Sequence, residues 1–351
     1  MSALMPGVQL ARTVTSAAAL GFVPVAIKFG LFDLLVEIEK PAHGKEVLMA
    51  YEQSVGSDRK SMPCLQLIDD ILYAMAGLGF VDMTDDCVYS ANDITRHLVH
   101  IPSAQHGALH FTTEALLAGA FLMRRLESGG CQYPFEELHT PLQFVYQKMG
   151  NDELAQQHTY DIMAAEGRMD SFNRFMMGKF MKTATAPERL ARFKYHLDTV
   201  LQDAKSRRVI AMAFPELSDK DLVVQEFNHE IREIPGLTLS TWNYKENDSE
   251  QPIQGAGVYH LAYILHNLPD LDAARLLQKL SQAMHPQSRL LIHEFTKNAN
   301  NAKMHASMIA LFGGRERSAS EWRQLAALAG LRVTFEAYPE GGEGLVKMRK
   351  L

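Results

Sequence analysis

Residues 257–294, GVYHLAYILHNLPDLDAARLLQKLSQAMHPQSRLLIHE, constrain the fold of this chain more than any other stretch. An apolar run, Val258 to Leu265, is followed by a polar break at His266-Asn267-Leu268-Pro269-Asp270. An amphipathic helix is expected from about Leu271 to Met284, then a Pro-Gln-Ser turn and a second apolar strand, Arg289 to His293. A strand, a crossover helix and a strand at this spacing imply a parallel sheet, whose ligands sit at the carboxyl ends of the strands. His266 and Glu294 each fall at such an end.

Such a unit needs a large core around it, and a chain of 351 residues with 47% hydrophobic content can supply one, in more than one domain. The formal net charge of -6, with no long basic run, points to neither nucleic acid nor a membrane surface. The longest apolar stretch, Ala17 to Phe29, is too short for a membrane span, carries Lys28 and has no basic region before it; a cytoplasmic protein is expected. Cys64, Cys87 and Cys131 are odd in number and lack metal spacing, so buried free thiols are expected, and no metal. Eighteen Met residues suit an adaptable interior around a bulky apolar ligand.

In chain order, Val8 to Leu35 has a helical pattern and is apolar for a surface element, as a helix meeting another subunit would be. Lys45 to Ser54 and Cys64 to Leu78 read as helices, followed by a hairpin of Gly79-Phe80-Val81 and Val88-Tyr89-Ser90 around Thr84-Asp85-Asp86. Helix, helix and hairpin is a winged-helix order. Its second helix carries Asp69 and Asp70 and no Lys or Arg, which does not suit a phosphate backbone. From about Ala104 to Leu197 four helical segments lie between Gly or Pro breaks. His110, Phe144, His158, Tyr160, Asn173, Met176 and Met177 lie there, either as core and surface side chains or as walls of a ligand pocket.

After Gln202, Arg207 to Ala213 reads as a first strand and Asp221 to Phe227 as a second, with FPELSDK between them and no glycine. A nucleotide-type cofactor needs a Gly-rich turn for close backbone approach and a helix whose amino terminus faces it. So short a link, holding a proline, does not provide both, because a right-handed crossover takes about a dozen residues or more.

The blocks LGFVPVAIKFGLFDLL, MAGLGFVD with VYSANDITRHLV, TPLQFVYQ, FNRFMMGKF, YILHNLPDLDAARLLQKLSQAM, SRLLIHEF and GGRERSASEWRQLAALAGL occur in an order that resembles the fungal and plant small-molecule O-methyltransferases using S-adenosylmethionine (SAM). The resemblance implies a mainly α plus α/β chain. A winged-helix dimerisation domain would span 1–103, a helical substrate-pocket region 104–197, and a Rossmann-like class I methyltransferase domain, truncated in its first βα unit, 198–351. It further implies a homodimer, or a heterodimer with a related methyltransferase, and a polyketide-type small-molecule substrate. His266 matches the family's general base, and Glu294 and Glu316 the carboxylates that orient it; Asn267 departs from the usual Asp after the histidine.

At the cofactor the departures are larger. The family's Val-Asp-x-Gly-Gly-Gly-x-Gly motif is missing, Glu226 stands at a degenerate ribose-binding position, and Asn243 takes about the place of a further acid. The expectation is therefore that SAM binding is lost and that no cofactor is used. The chain would then catalyse a cyclisation, pericyclic, dehydration or isomerisation step in the old acceptor pocket, as fungal relatives of this fold do. In those pericyclases a histidine on the helix closing the pocket contributes, and His110 resembles it; it would approach His266 from the helical region. A working methyltransferase with an unusual SAM site and a silent partner subunit are the competing readings. Joint presence of His266, Glu294 and Glu316 favours an enzyme, since a scaffold does not require that trio.

Overall fold

A computed structural model describes residues 5–55, 62–178, 221–227, 238–340 and 343–351. By contacts the chain falls into two compact units that interleave in sequence, where three consecutive spans were expected: residues 1–123 with 145–183, and residues 124–144 with 184–351.

The first unit is mainly helical. The apolar run 8–35 is three helices instead of one: α1 (Pro6–Leu20), α2 (Val23–Lys28) and α3 (Leu31–Ile38). Gly21 ends the first, and Gly30, at φ +60°, ends the second in a left-handed turn that suits glycine. α1 buries no residue, whereas α3 buries Leu31, Phe32, Leu34 and Leu35. They pack with Ile68, Ile71, Leu72 and Met75 of α5 (Leu65–Gly77), which follows α4 (Gly44–Val55). Short strands β1 (Ala42–His43), β2 (Asp82–Met83) and β3 (Val88–Ser90) form an antiparallel sheet in the order β1-β3-β2. The first hairpin strand thus starts a residue beyond Val81. Asn92 then caps α6 (Asp93–His100) in a capping box with Thr95.

The helical segment 107–126 is α7 (Pro102–His110), a π-helical turn over Phe111–Ala115, and α8 (Leu116–Ser128). α9 is Pro141–Lys148. After α9 the chain forms α10 (Thr159–Ala165) and α11 (Met169–Gly178), with Gly167 at φ +67° between them. Cys64, Cys87 and Cys131 are free but exposed, correcting the expectation of buried thiols; two of them, Cys87 and Cys131, sit at turn positions with positive φ. No helix among the described residues is long and apolar enough to cross a membrane.

The second unit carries the α/β part. β4 (Val223–Glu226) pairs in parallel with β5 (Thr238–Thr241); the expected first strand at 207–213 and the linker after it lie outside the described residues. A second sheet has the order β6-β7-β9-β8, built from β6 (Val258–Ala262), β7 (Arg289–Phe295), β8 (Leu331–Ala337) and β9 (Glu343–Lys350). β6 and β7 are parallel, as the stretch 257–294 requires, and β9 runs antiparallel to both β7 and β8. The crossover helix α12 (Asp270–Ala283) buries Ala273, Leu276, Leu277 and Leu280 against Leu290 and Ile292 of β7. Their i, i+3, i+4, i+7 spacing is the apolar stripe read in the sequence. Trp322 and Leu325 of α14 (Ala319–Leu328) close the same core, with α13 (Ala302–Phe312) before it in the chain.

Candidate active site

β6 is shorter than its apolar run because the backbone turns at Tyr263, which takes a left-handed φ of +56°. Ile264 and Leu265 continue the apolar pattern but not the strand, and Leu265–Asn267 form one turn of 3₁₀ helix. His266 therefore projects from a turn just past the strand end instead of from the strand itself.

Two carboxylates meet that imidazole. Glu294, next to last in β7, splits its duties: Oε1 accepts the backbone N–H groups of Ile264 (3.0 Å) and Leu265 (2.8 Å), while Oε2 lies 3.7 Å from His266 Nδ1. Glu316 Oε1 is 3.1 Å from the same Nδ1. The Glu316 loop is itself tied down by its N–H donating to His305 Nδ1 at 3.0 Å. All three side chains are buried. Burial alone would push the His266 imidazole down, but the charges of Glu294 and Glu316 outweigh it and raise it above the ordinary histidine range. Burial pushes Glu294 up, opposed by His266 and reinforced by Glu316. A carboxylate on Nδ1 fixes the ring tautomer and leaves Nε2 as the nitrogen that can take a proton. Their ligating atoms all lie within 4.8 Å, close enough to hold a metal ion, but the direct Nδ1–Oε1 contact already accounts for the cluster as an acid–base set.

Asn267, beside the histidine, donates Nδ2 to the Tyr263 carbonyl at 3.3 Å and so braces the turn from within. Phe144 is buried in α9.

His110 belongs to the first unit, at the end of α7. Its Nδ1 lies 3.3 Å from Glu114 Oε2 on the π-helical turn, and Glu114 Oε1 lies 3.4 Å from Arg168 Nη2. Its ring stacks on Phe175 and meets Phe111 and Phe172 edge-on. His158 caps α10, its Nδ1 accepting the Tyr160 N–H at 3.3 Å, and Tyr160 packs on Phe172. Asn173 and Met176 are exposed on α11, and the Met177 side chain lies outside the described residues. The pattern of the sequence did not single out Glu114 or Arg168; only the i, i+4 spacing of His110 and Glu114 signalled a pair.

For a nucleotide-type cofactor the described residues supply Glu226. It ends β4 at the carboxyl edge of a parallel pair, with its side chain exposed. A carboxylate at a strand end can accept hydrogen bonds from both hydroxyls of a ribose diol, so this position fits. Asn243 is turned to local use, donating Nδ2 to Glu246 Oε1 at 2.7 Å.

Residues 228–332 match the family model described as an O-methyltransferase domain. Over 98% of its length the chain is 49% identical to the O-methyltransferase bfoE of Aspergillus brasiliensis, covering 96% of that protein, and it is 47% identical to the O-methyltransferase aunE of Aspergillus niger over the same shares. This chain belongs to the fungal O-methyltransferase family. Among solved structures it superposes on one titled a pericyclic reaction enzyme and on the LepI complex with SAM, each with a TM-score of 0.76 and 20% identity over all of this chain and 90% of the other. The OxaC complex with sinefungin and meleagrin gives 0.74 at 16% identity, over 98% of this chain and 88% of that one. The fold is therefore that of a class I methyltransferase. These relatives overturn the expectation that the chain does without SAM: whole-length relatives are named methyltransferases, and a fold neighbour is a SAM complex. A missing glycine motif was too narrow a criterion for excluding the cofactor.

Proposed function

We propose that this chain is a SAM-dependent O-methyltransferase of fungal secondary metabolism, acting on a hydroxyl of a polyketide-type small molecule with His266 as general base. The observation that supports it is the buried His266–Glu294–Glu316 cluster at the carboxyl edge of the β6–β7 pair. Glu226 would hold the cofactor ribose; SAM, when bound, supplies an electrophilic methyl group. His266 Nε2 accepts the proton of the acceptor hydroxyl. Glu316 then stabilises the imidazolium through Nδ1–H, and Glu294 supports it while holding the turn that presents the ring. The protein's own work is to hold the base in a dry site where one proton has one place to go.

The N-terminal 1–103 part acts in this reading as a winged-helix dimerisation domain, its α1 leaving Val8, Leu10 and Val14 exposed for a second copy to cover. Light scattering should report a homodimer; a monomer at micromolar concentration would count against this part.

Calorimetry should give saturable SAM binding with a micromolar dissociation constant, and a panel of hydroxylated polyketides should yield a product heavier by one methyl in place of one hydrogen. A product isomeric with its substrate would instead make the chain a pericyclase or isomerase, and no product with any partner present would make it a silent subunit.

A further inference from the structure

The loop that supplies Glu316 also grips the turn that carries His266. Arg317 is fully buried, and its guanidinium fork reaches both sides of the histidine: Nη1 donates to the Leu265 carbonyl at 2.7 Å and Nη2 to the Leu268 carbonyl at 2.9 Å. Nε donates to Asp270 Oδ1 at 2.9 Å, and the plane lies over Trp322 with Cζ 5.5 Å from the ring centre. Gly314 brings this loop against the turn. A Cβ built there would stand 2.1 Å from the His266 carbonyl oxygen, 2.5 Å from the Asn267 carbonyl carbon and 2.7 Å from the Leu268 nitrogen, all backbone atoms that cannot rotate away. The turn is thus held by its N–H groups from Glu294 and by its carbonyls from Arg317.

We infer that Arg317 is a positioning residue for His266, which together with the close approach at Gly314 fixes the 265–268 turn so that the imidazole keeps Nδ1 on Glu316. A planar fork bridges two carbonyls and a carboxylate at once, whereas a lysine ammonium at the same place carries the charge without the span. The inference rests on the methyltransferase reading for its catalytic meaning, but not for its structural test.

The test uses the full chain labelled with ¹⁵N in its histidine rings, His266 being assigned by its loss in His266→Ala. At a pH above the raised range of the imidazolium, wild type should show one neutral tautomer, protonated at Nδ1. Arg317→Lys and Gly314→Ala, with folding checked by circular dichroism and melting, should both lose that single tautomer. With any polyketide that wild type methylates, both should lower kcat about a hundredfold while KM moves less than about threefold, as misplacement of a base does. If Arg317→Lys, folded, keeps the wild-type tautomer, or loses stability while each folded molecule keeps the wild-type kcat, the residue is only a charge or a strut and the inference fails. Should Arg317→Lys not fold, Gly314→Ala decides by the same criteria, and if neither folds Arg317→Gln, which keeps an amide donor without the fork or the charge, decides in their place. Altered tautomers in a chain that methylates nothing would leave the positioning role standing and sink the methyltransferase reading alone.

Discussion

His266 and His110 are both buried, both face a glutamate and both have an arginine in the same cluster, yet they are assembled in opposite ways. His110 and Glu114 come from one continuous helical stretch, and the ring is packed among Phe111, Phe172 and Phe175. His266 meets Glu294 from the next strand and Glu316 from a distant loop, at a turn past a strand end. A pair made within one helix costs little to order and can serve packing alone. Three elements converging on one ring, in a place where parallel strands end, is a costly arrangement to keep for packing alone, and a carboxylate on Nδ1 is what a base requires.

The largest effect should separate the two histidines. His266→Ala should lower the methyl-transfer rate by about 10² to 10⁴, the usual share of a general base, whereas His110→Ala should change the rate per folded molecule far less. Removing His266 also leaves two buried carboxylates without the imidazole, so its melting temperature should fall as well. Comparable rate losses in both variants would erase the distinction and make His110 part of the chemistry.

Next in size is Glu226→Ala. Losing a hydrogen bond to a charged group costs about 1.5–3 kcal/mol, so SAM should bind about 10- to 100-fold more weakly in calorimetry. The cofactor-free expectation gave this residue almost no role; an unchanged dissociation constant would place the ribose elsewhere.

The strand–helix–strand stretch of the second unit was legible because its signals are local. Val258–Ala262, Asp270–Ala283 and Arg289–Phe295 fall within a residue or two of their expected places, except where the apolar run overshot at Ile264 and Leu265. Alternation cannot say where a strand stops when the following turn is also buried; only the left-handed Tyr263 ends it. His266, Glu294 and Glu316 were named through family resemblance, but the Arg317 clasp and the pressure on Gly314 depend on contacts between residues about fifty apart, which no period encodes. In the first unit the apolar pattern of 8–35 ran across Gly21 and Gly30, and periodicity read one helix where glycine had made three. The cofactor was misjudged for a related reason: one motif stood for a whole site.

A smaller effect should come from the other cluster. Glu114 sits between His110 and Arg168 and also accepts from Thr113 Oγ1 at 2.6 Å. Glu114→Gln removes the charge that Arg168 and the imidazole share, and should cost about 1–3 kcal/mol in chemical denaturation while leaving SAM affinity unchanged. A loss of SAM binding here would show that the first unit's cluster serves the site and is more than packing.

The smallest effect is a shift in pH dependence, and its sign follows from the charges around His266. Burial favours the neutral ring, but Glu294 and Glu316 favour the imidazolium more, so the folded protein holds this proton more tightly than an unfolded chain does. The imidazolium therefore stabilises the fold fully at pH values below the ordinary histidine range of about 6.5, and that contribution is lost as pH rises through the higher folded value. Catalysis needs the neutral ring. kcat/KM should accordingly rise with pH across the window in which this part of the stability falls, with its midpoint above that of an exposed histidine. Glu316→Gln removes one of the two charges that hold the proton, so the rise should move to lower pH while the maximal rate drops, since the imidazolium formed in the reaction loses its partner. Paired profiles of kcat/KM and melting temperature for wild type and Glu316→Gln would test this, and a limb that stays where it was in the variant would mean that Glu316 orients the ring without tuning its proton.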